Sequence, residues 1–171
     1  MAADKPLHIV SGVPTEVEAT VVSAGAGNAG DIVALDSAGL IDSSLLPPSV
    51  GQNVDSIASS ENLSAGDWVN IYDNTGTINV RKADADNARE AHGFVRTAVT
   101  SPAAATVYGP GELNDQMSGL TVGADYFLST TPGGVTTTAP TAASAIVQRL
   151  GRAKSATAIR FLDSTVIKRA P

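Results

Sequence analysis

The stretch that decides the fold lies near the middle of the chain, where residues 63–82 read LSAGDWVNIYDNTGTINVRK. A turn at residues 64–67 leads into the largely apolar residues 68–72, whose types favour an extended strand. The Asn-Thr-Gly run at 74–76 predicts a hairpin turn, because Asn and Gly tolerate positive φ. Apolar and polar residues then alternate over residues 77–82, which is typical of a half-buried strand. This stretch therefore predicts a β-hairpin.

Short β-prone segments continue through the rest of the chain. Residues 93–99, 104–108 and 154–161 each combine β-branched or aromatic residues with flanking turn residues. Such regular spacing of short strands and turns is typical of small all-β folds. We therefore predict an all-β protein with a small β-barrel or β-sandwich domain over residues 61–171.

The two halves of this predicted β domain resemble each other. LSAGDWV from Leu63 parallels LTVGADYF from Leu120, and GFV from Gly93 parallels IVQRLG from Ile146. The similarity predicts an internal duplication with copies at residues 61–115 and 118–165. The alternative is that unrelated hairpins share the same turn chemistry.

Residues 1–60 predict an extended N-terminal arm rather than a compact domain. The first aromatic residue of the chain is Trp68, whereas a core of ordinary size uses aromatic side chains for their large buried area. Pro47 and Pro48 stop any helix that precedes them. We expect this arm to become ordered by packing against something else.

The charge is divided along the chain, which has a formal net charge of −6. Residues 1–80 hold one base, Lys5, against ten acids, whereas residues 81–171 hold ten bases against seven acids. The two segments are either separate solvated surfaces or surfaces that face each other between copies in an assembly. The acidic balance argues against nucleic acid as a partner, since nucleic-acid binding needs a basic face.

Residues suited to catalysis or metal binding are few. The chain has no cysteine and only two histidines, His8 and His92, so it lacks a disulfide framework, a thiol nucleophile and thiolate metal ligands. No apolar run reaches the length of a membrane helix, and no signal peptide is visible. We predict that the protein is not an enzyme and has no catalytic residue, no metal, no cofactor, no membrane partner and no small-molecule substrate.

Two short motifs look chemical but lack the context that their chemistry needs. The glycines of residues 25–30 match G-x-G-x-x-G, yet no amphipathic helix or βαβ unit follows, so a loop is predicted instead of a nucleotide site. The run DADN at 84–87 begins like a calcium loop but continues with Ala and Arg where glycine is required. A solvated acidic loop is therefore predicted there.

Residues 30–47 read GDIVALDSAGLIDSSLLP and resemble a segment that recurs in tailed-phage virion proteins, roughly G-x-I-V-x-L-D-x-x-G-x-I-D-x-S-x-L-P. The segments LSAGDWVNIY from Leu63, GFV from Gly93 and LTVGADYFLS from Leu120 resemble phage head-decoration (cement) and head-fibre proteins. Together these segments span about residues 30–161 in order.

The resemblance implies a structural virion protein that binds the outer surface of a phage capsid and stabilises the shell. It implies a homotrimer that is made in the host cytoplasm, sits on the capsid exterior and has the major capsid protein as its partner. The alternative is a head-fibre or tail-fibre component that binds a host receptor or glycan.

The apolar side chains of the arm are the predicted contacts. Capsid or subunit contacts are expected at Ile32, Leu35, Ile41, Leu45 and Leu46, unless these residues pack on the chain's own β domain.

Overall fold

A computed structural model describes residue 5 and residues 7–46 and 53–171, and it confirms that the protein is all-β. The chain divides into two compact units, residues 1–51 and 52–171. The strands in chain order are β1 (Leu7–Val10), β2 (Val13–Glu16), β3 (Val54–Ala58), β4 (Trp68–Asn74), β5 (Thr77–Lys82), β6 (Gly93–Val95), β7 (Ala104–Tyr108), β8 (Leu113–Asn114), β9 (Asp125–Leu128), β10 (Val135–Thr136), β11 (Ile146–Val147), β12 (Arg149–Ser155), β13 (Ala158–Phe161) and β14 (Ile167–Lys168).

The predicted hairpin is β4 and β5, at the edge of the first five-stranded antiparallel sheet, whose order is β3-β7-β6-β4-β5. Its register runs from Val69 opposite Lys82 to the turn. The Asp73 carboxylate accepts the backbone N–H of Gly76 at 2.8 Å, and Gly76 takes the positive φ of +87° that the turn requires. The hairpin prediction is therefore confirmed.

The boundary between the units lies earlier than the sequence suggested. The arm was expected to extend to residue 60, but β3 pairs with β7 over its whole length, from Val54 opposite Tyr108 to Ala58 opposite Ala104. Strand β3 consequently belongs to the second unit.

The first sheet is strongly curled. Its two outer strands, β3 and β5, meet at a parallel bridge between Ser59 and Val80, where the N–H of Ser60 donates to the Val80 carbonyl at 2.9 Å. Val69, Val95 and Val107 form a small buried cluster with Val80. Over the described residues the pairing of β3 with β5 stops at this bridge, so the sheet does not close into a barrel.

The second sheet, ordered β10-β9-β12-β13-β8, repeats the arrangement of the first. If the five strands of each sheet are numbered along the chain, both sheets have the order 1-5-4-2-3. Equivalent turns make equivalent hydrogen bonds: Gly66 N–H donates to Val95 O at 2.8 Å, and Gly123 N–H donates to Ala153 O at 3.0 Å. The repeated five-strand units run from β3 to β7 and from β8 to β13, that is residues 54–108 and 113–161, so each begins earlier than the predicted copies at 61–115 and 118–165. Common ancestry of the halves stays a prediction.

The two sheets share one aromatic core. Trp68 on β4 is fully buried, with its ring centroid 5.4 Å from that of Phe94 and 5.1 Å from that of Phe161 on β13. Leu128 and Leu150 complete the cluster from the second sheet. Burial of this cluster provides the main hydrophobic stabilisation of the second unit.

The N-terminal unit is built from turns and one hairpin rather than from a uniformly extended chain. Strands β1 and β2 pair antiparallel, with Leu7 opposite Glu16. Further on, Thr20 and Val33 form a parallel bridge. Two single-turn 3-10 helices, Gly25–Asn28 and Ser43–Leu45, complete the described part of this unit.

Candidate functional site

The loops of the N-terminal unit are held by polar side chains. The Asp31 carboxylate accepts hydrogen bonds from the Asn28 amide at 2.8 Å and the Thr20 hydroxyl at 2.7 Å. These bonds, that of Asn28 first, lower the pKa of Asp31 because they stabilise the ionised form. A charged Asp31 thus ties the two ends of the loop together.

The same logic explains the spacing of L-D-x-x-G-x-I-D-x-S at residues 35–44. Asp36 accepts the backbone N–H groups of Ala38 and Leu40 at 2.8 and 2.9 Å, closing one turn. Asp42 accepts the N–H of Ser44 at 2.9 Å and opens the second 3-10 helix, and the hydrogen bonds from Ser44 lower the pKa of Asp42. Each carboxylate in this motif therefore shapes backbone.

The apolar residues of the motif, in contrast to its carboxylates, are exposed or half-buried. Leu35 is 57% exposed and Ile41 is 52% exposed, and Leu46 is also exposed, whereas Ile32 and Leu45 are half-buried. Among residues 7–46 with described side chains, none is fully buried. The structure thus brings the five predicted contact residues into one unit and leaves three of them open to solvent.

Six further exposed apolar residues of this unit were not among the predicted contacts. They are Leu7, Ile9, Val13, Val22, Val33 and Leu40. The alternation of Leu7 and Ile9 in a short strand was the available signal for two of them. These exposed apolar side chains form the candidate interaction surface of this unit, since large contiguous apolar patches are rare on soluble monomers.

A second feature lies on the first sheet of the other unit, where β3 and β5 diverge beyond their bridge. A groove of about 420 Å³ opens there, lined by Ile57, Ile71 and Ile78 and by Asp55, Ser56 and Ala58. The three isoleucines make the floor apolar, and each comes from a different strand. This groove could not be predicted from the sequence, because its lining residues are brought together only by the order of the strands.

A third feature is the solvent face of the second sheet. The Asp125 carboxylate binds Arg149 Nη2 at 2.7 Å and Arg152 Nε at 3.0 Å. The hydrogen bonds from Arg152 and then from Arg149 lower the pKa of Asp125 to about 2. Asp125 is therefore ionised at any ordinary pH and fixes both guanidinium groups.

Two residues considered for metal binding or catalysis, Asp84 and His92, make hydrogen bonds within the fold. The run 84–87 is a turn in which Asp84, almost fully buried, accepts hydrogen bonds from the Asp86 N–H and the Asn87 amide. His92 Nδ1 accepts the N–H of Ile71 at 3.0 Å, and its Nε2 lies 3.1 Å from the Glu90 carboxylate. Both ring nitrogens of His92 thus have partners within the fold.

Three comparisons with known proteins found no similar protein. No protein-family model, no curated protein and no solved structure matches the chain. Within residues 7–46 and 53–171, no three His, Cys, Asp or Glu side chains are grouped so that they could hold a metal ion. The same residues contain no helix long and apolar enough to cross a membrane.

Proposed function

We propose that the protein is a structural, non-enzymatic virion protein that binds the outer surface of a phage capsid and stabilises the shell. In this proposal it is a homotrimer whose partner is the major capsid protein. The observation that carries the proposal is the N-terminal unit, where carboxylates hold the backbone and large apolar side chains project into solvent. The resemblance of residues 30–47 to a recurring virion segment supports the same role.

The proposed attachment is energetically reasonable. Covering a fully exposed Leu or Ile side chain contributes about 1.5–3 kcal/mol before the costs of association are subtracted. Leu35, Ile41 and Leu46 are partly exposed, at 57%, 52% and 36%, so each offers a fraction of this contribution within a short segment. Many weakly bound copies on one shell, each touching more than one coat subunit, would then stabilise the shell collectively.

The second unit serves in this proposal as the rigid platform that faces outward. Its two sheets share the core around Trp68, and we infer a β-sandwich type of packing for them. A platform of this kind holds its shape without a partner, so the adhesive role falls to the N-terminal unit.

The test is binding to empty heads that lack the protein, prepared from the phage that encodes it. The wild-type chain is expected to bind in hundreds of copies and to raise the melting temperature of the heads. The variant Leu35→Asp with Ile41→Asp is expected to lose binding. A matched control, Val122→Asp, changes a residue that is 64% exposed in the second unit and should bind like wild type.

The other outcomes discriminate between functions. Binding of a few copies at one vertex or on the tail would contradict the shell-stabilising role and favour the fibre component that binds a receptor or glycan. Absence of binding by the wild-type chain would overturn both.

A further inference from the structure

The outer face of the second sheet is strongly basic. Arg152 and Lys154 on β12 and Arg160 on β13 are exposed, while Ala153 and Ile159 between them point into the core. Arg149 lies on the same strand, and the Asp125 carboxylate pairs with Arg149 and Arg152 but not with Lys154 or Arg160. The face therefore carries an excess of positive charge in a chain whose overall charge is negative.

Two of these cations face each other directly. Arg152 lies opposite Arg160 in the β12–β13 register. Like charges at opposed positions of a sheet destabilise it. Arg152 is held by Asp125, but Arg160 donates only to the neutral carbonyl of Gly111, at 2.6 Å. A negatively charged partner over this pair would remove the repulsion.

The N-terminal unit has the complementary character. Residues 1–51 hold one base, Lys5, against six acids. On the β1–β2 hairpin, Glu16 lies opposite Leu7 in the register, so one face of the hairpin joins a carboxylate to an exposed apolar side chain; Glu18 follows, also exposed. On the basic face, Leu113 is opposite Arg160 and is half-buried, so it offers apolar surface beside the charge.

We propose that the basic face of the second sheet is a subunit interface that docks the N-terminal hairpin of a second copy of this chain, through the carboxylates of Glu16 and of Glu18, which follows the hairpin. The contact joins two different surfaces, so it is heterologous and closes into a ring when three copies repeat it. The inference rests on the trimer proposed above and supplies the contacts that hold it together. The Leu35 and Ile41 side chains stay available for the shell.

The first experiment measures the mass of the purified chain in solution, without any heads. The wild-type chain is expected to be a trimer that dissociates as the salt concentration rises, because about 1 M salt screens charges beyond about 3 Å. The variant Arg152→Glu with Arg160→Glu is expected to weaken assembly at least about tenfold. Adding Glu16→Arg and Glu18→Arg to that variant should restore the trimer. If the double variant fails to fold, Lys154→Glu, at an exposed site, should weaken assembly in the same direction.

A control of equal charge change is Arg89→Glu with Lys168→Glu, at two positions outside this face, which should stay trimeric. A wild-type monomer, or a trimer that the Arg152, Arg160 and Lys154 variants leave unchanged, would overturn the interface. A wild-type monomer would also contradict the proposed trimer, whereas a trimer that these variants leave unchanged would overturn the interface alone. Shell binding is measured separately on heads and tests the proposed function without this interface.

A second experiment uses the lack of cysteine in the chain. The variant Glu16→Cys with Arg152→Cys should form disulfide-linked multimers under mild oxidation. A link within one chain, or no link, would contradict docking between copies.

Discussion

The N-terminal and C-terminal units distribute apolar and polar side chains in opposite ways. In residues 53–171 large apolar side chains are buried around Trp68 and in the cluster with Val80, and most charged side chains lie at the surface. In residues 7–46 the carboxylates of Asp36 and Asp42 accept backbone N–H groups, and apolar side chains such as Leu35 are exposed to solvent. The C-terminal unit is thus stabilised by its own core, whereas the N-terminal unit leaves its large apolar side chains exposed, which is the surface that we propose binds a partner.

The largest expected effect is loss of the shared core. Trp68→Ala should lower the free energy of unfolding of the purified protein by about 3–5 kcal/mol, since Trp68 is fully buried between two phenylalanine rings. Urea denaturation followed by circular dichroism measures it. Leu35→Ala is the matched change in the other unit and should alter the value by less than about 0.5 kcal/mol. An equal loss in both variants would contradict the contrast between the units.

The next effect concerns how closely the backbone is packed. A Cβ at Gly151 would overlap the Arg160 carbonyl oxygen on the adjacent strand, so Gly151→Ala must force β12 and β13 apart. We expect a loss of about 1–3 kcal/mol in the free energy of unfolding. Gly27→Ala is the control, because nothing lies within 4 Å of the added Cβ there. Unchanged unfolding in Gly151→Ala would show that the second sheet is looser than described.

A smaller and more local effect is expected in the N-terminal unit. Asp42→Ala removes the acceptor of the Ser44 N–H, so that amide should exchange its hydrogen several-fold faster. Amides of β4 and β13 should keep their protection. Hydrogen exchange followed by mass spectrometry separates the two units, and faster exchange in β4 and β13 as well would mean that the units unfold together.

The smallest effect is a dependence of stability on acid pH. The pKa of Asp125 is lowered to about 2 in the folded protein from an ordinary value of 3.8. The stabilisation from its pairs with Arg152 and Arg149 is therefore complete above the ordinary value and is lost as pH falls towards 2. Melting temperatures between pH 2 and 5 should fall less steeply for Asp125→Asn than for wild type, while Asp163→Asn, at an exposed position, should follow the wild-type curve.

Much of the second unit could be predicted from the sequence. The hairpin of β4 and β5 follows from local alternation and from turn residues, because those signals act between neighbours in the chain. Strand β3 escaped prediction because VDSIA places the polar Asp55 and Ser56 side by side, which breaks the alternation of a half-buried strand. The short strands β8, β10 and β11 carry only two residues each, too few for a periodic pattern.

The candidate sites also differ in whether local sequence signals could predict them. Leu35 and Ile41 could be predicted because the motif that contains them is continuous in sequence. The basic face could not, since irregular pairing between Arg149 and Gly151 and again between Ala153 and Ser155 disrupts the alternation along β12. Which side chains share a face is decided there by pairing with β9 and β13.

The aspartate turns around Gly39 also bear on the rate of attachment. A segment that must fold on its target loses conformational entropy at the moment of binding, and this slows productive encounters. Here the loop is shaped beforehand by Asp36 and Asp42, so Leu40 and Ile41 are already displayed. Under the proposed function, attachment to a shell would then need only a collision in the right orientation, and the protein could bind a finished shell without remodelling its own loops.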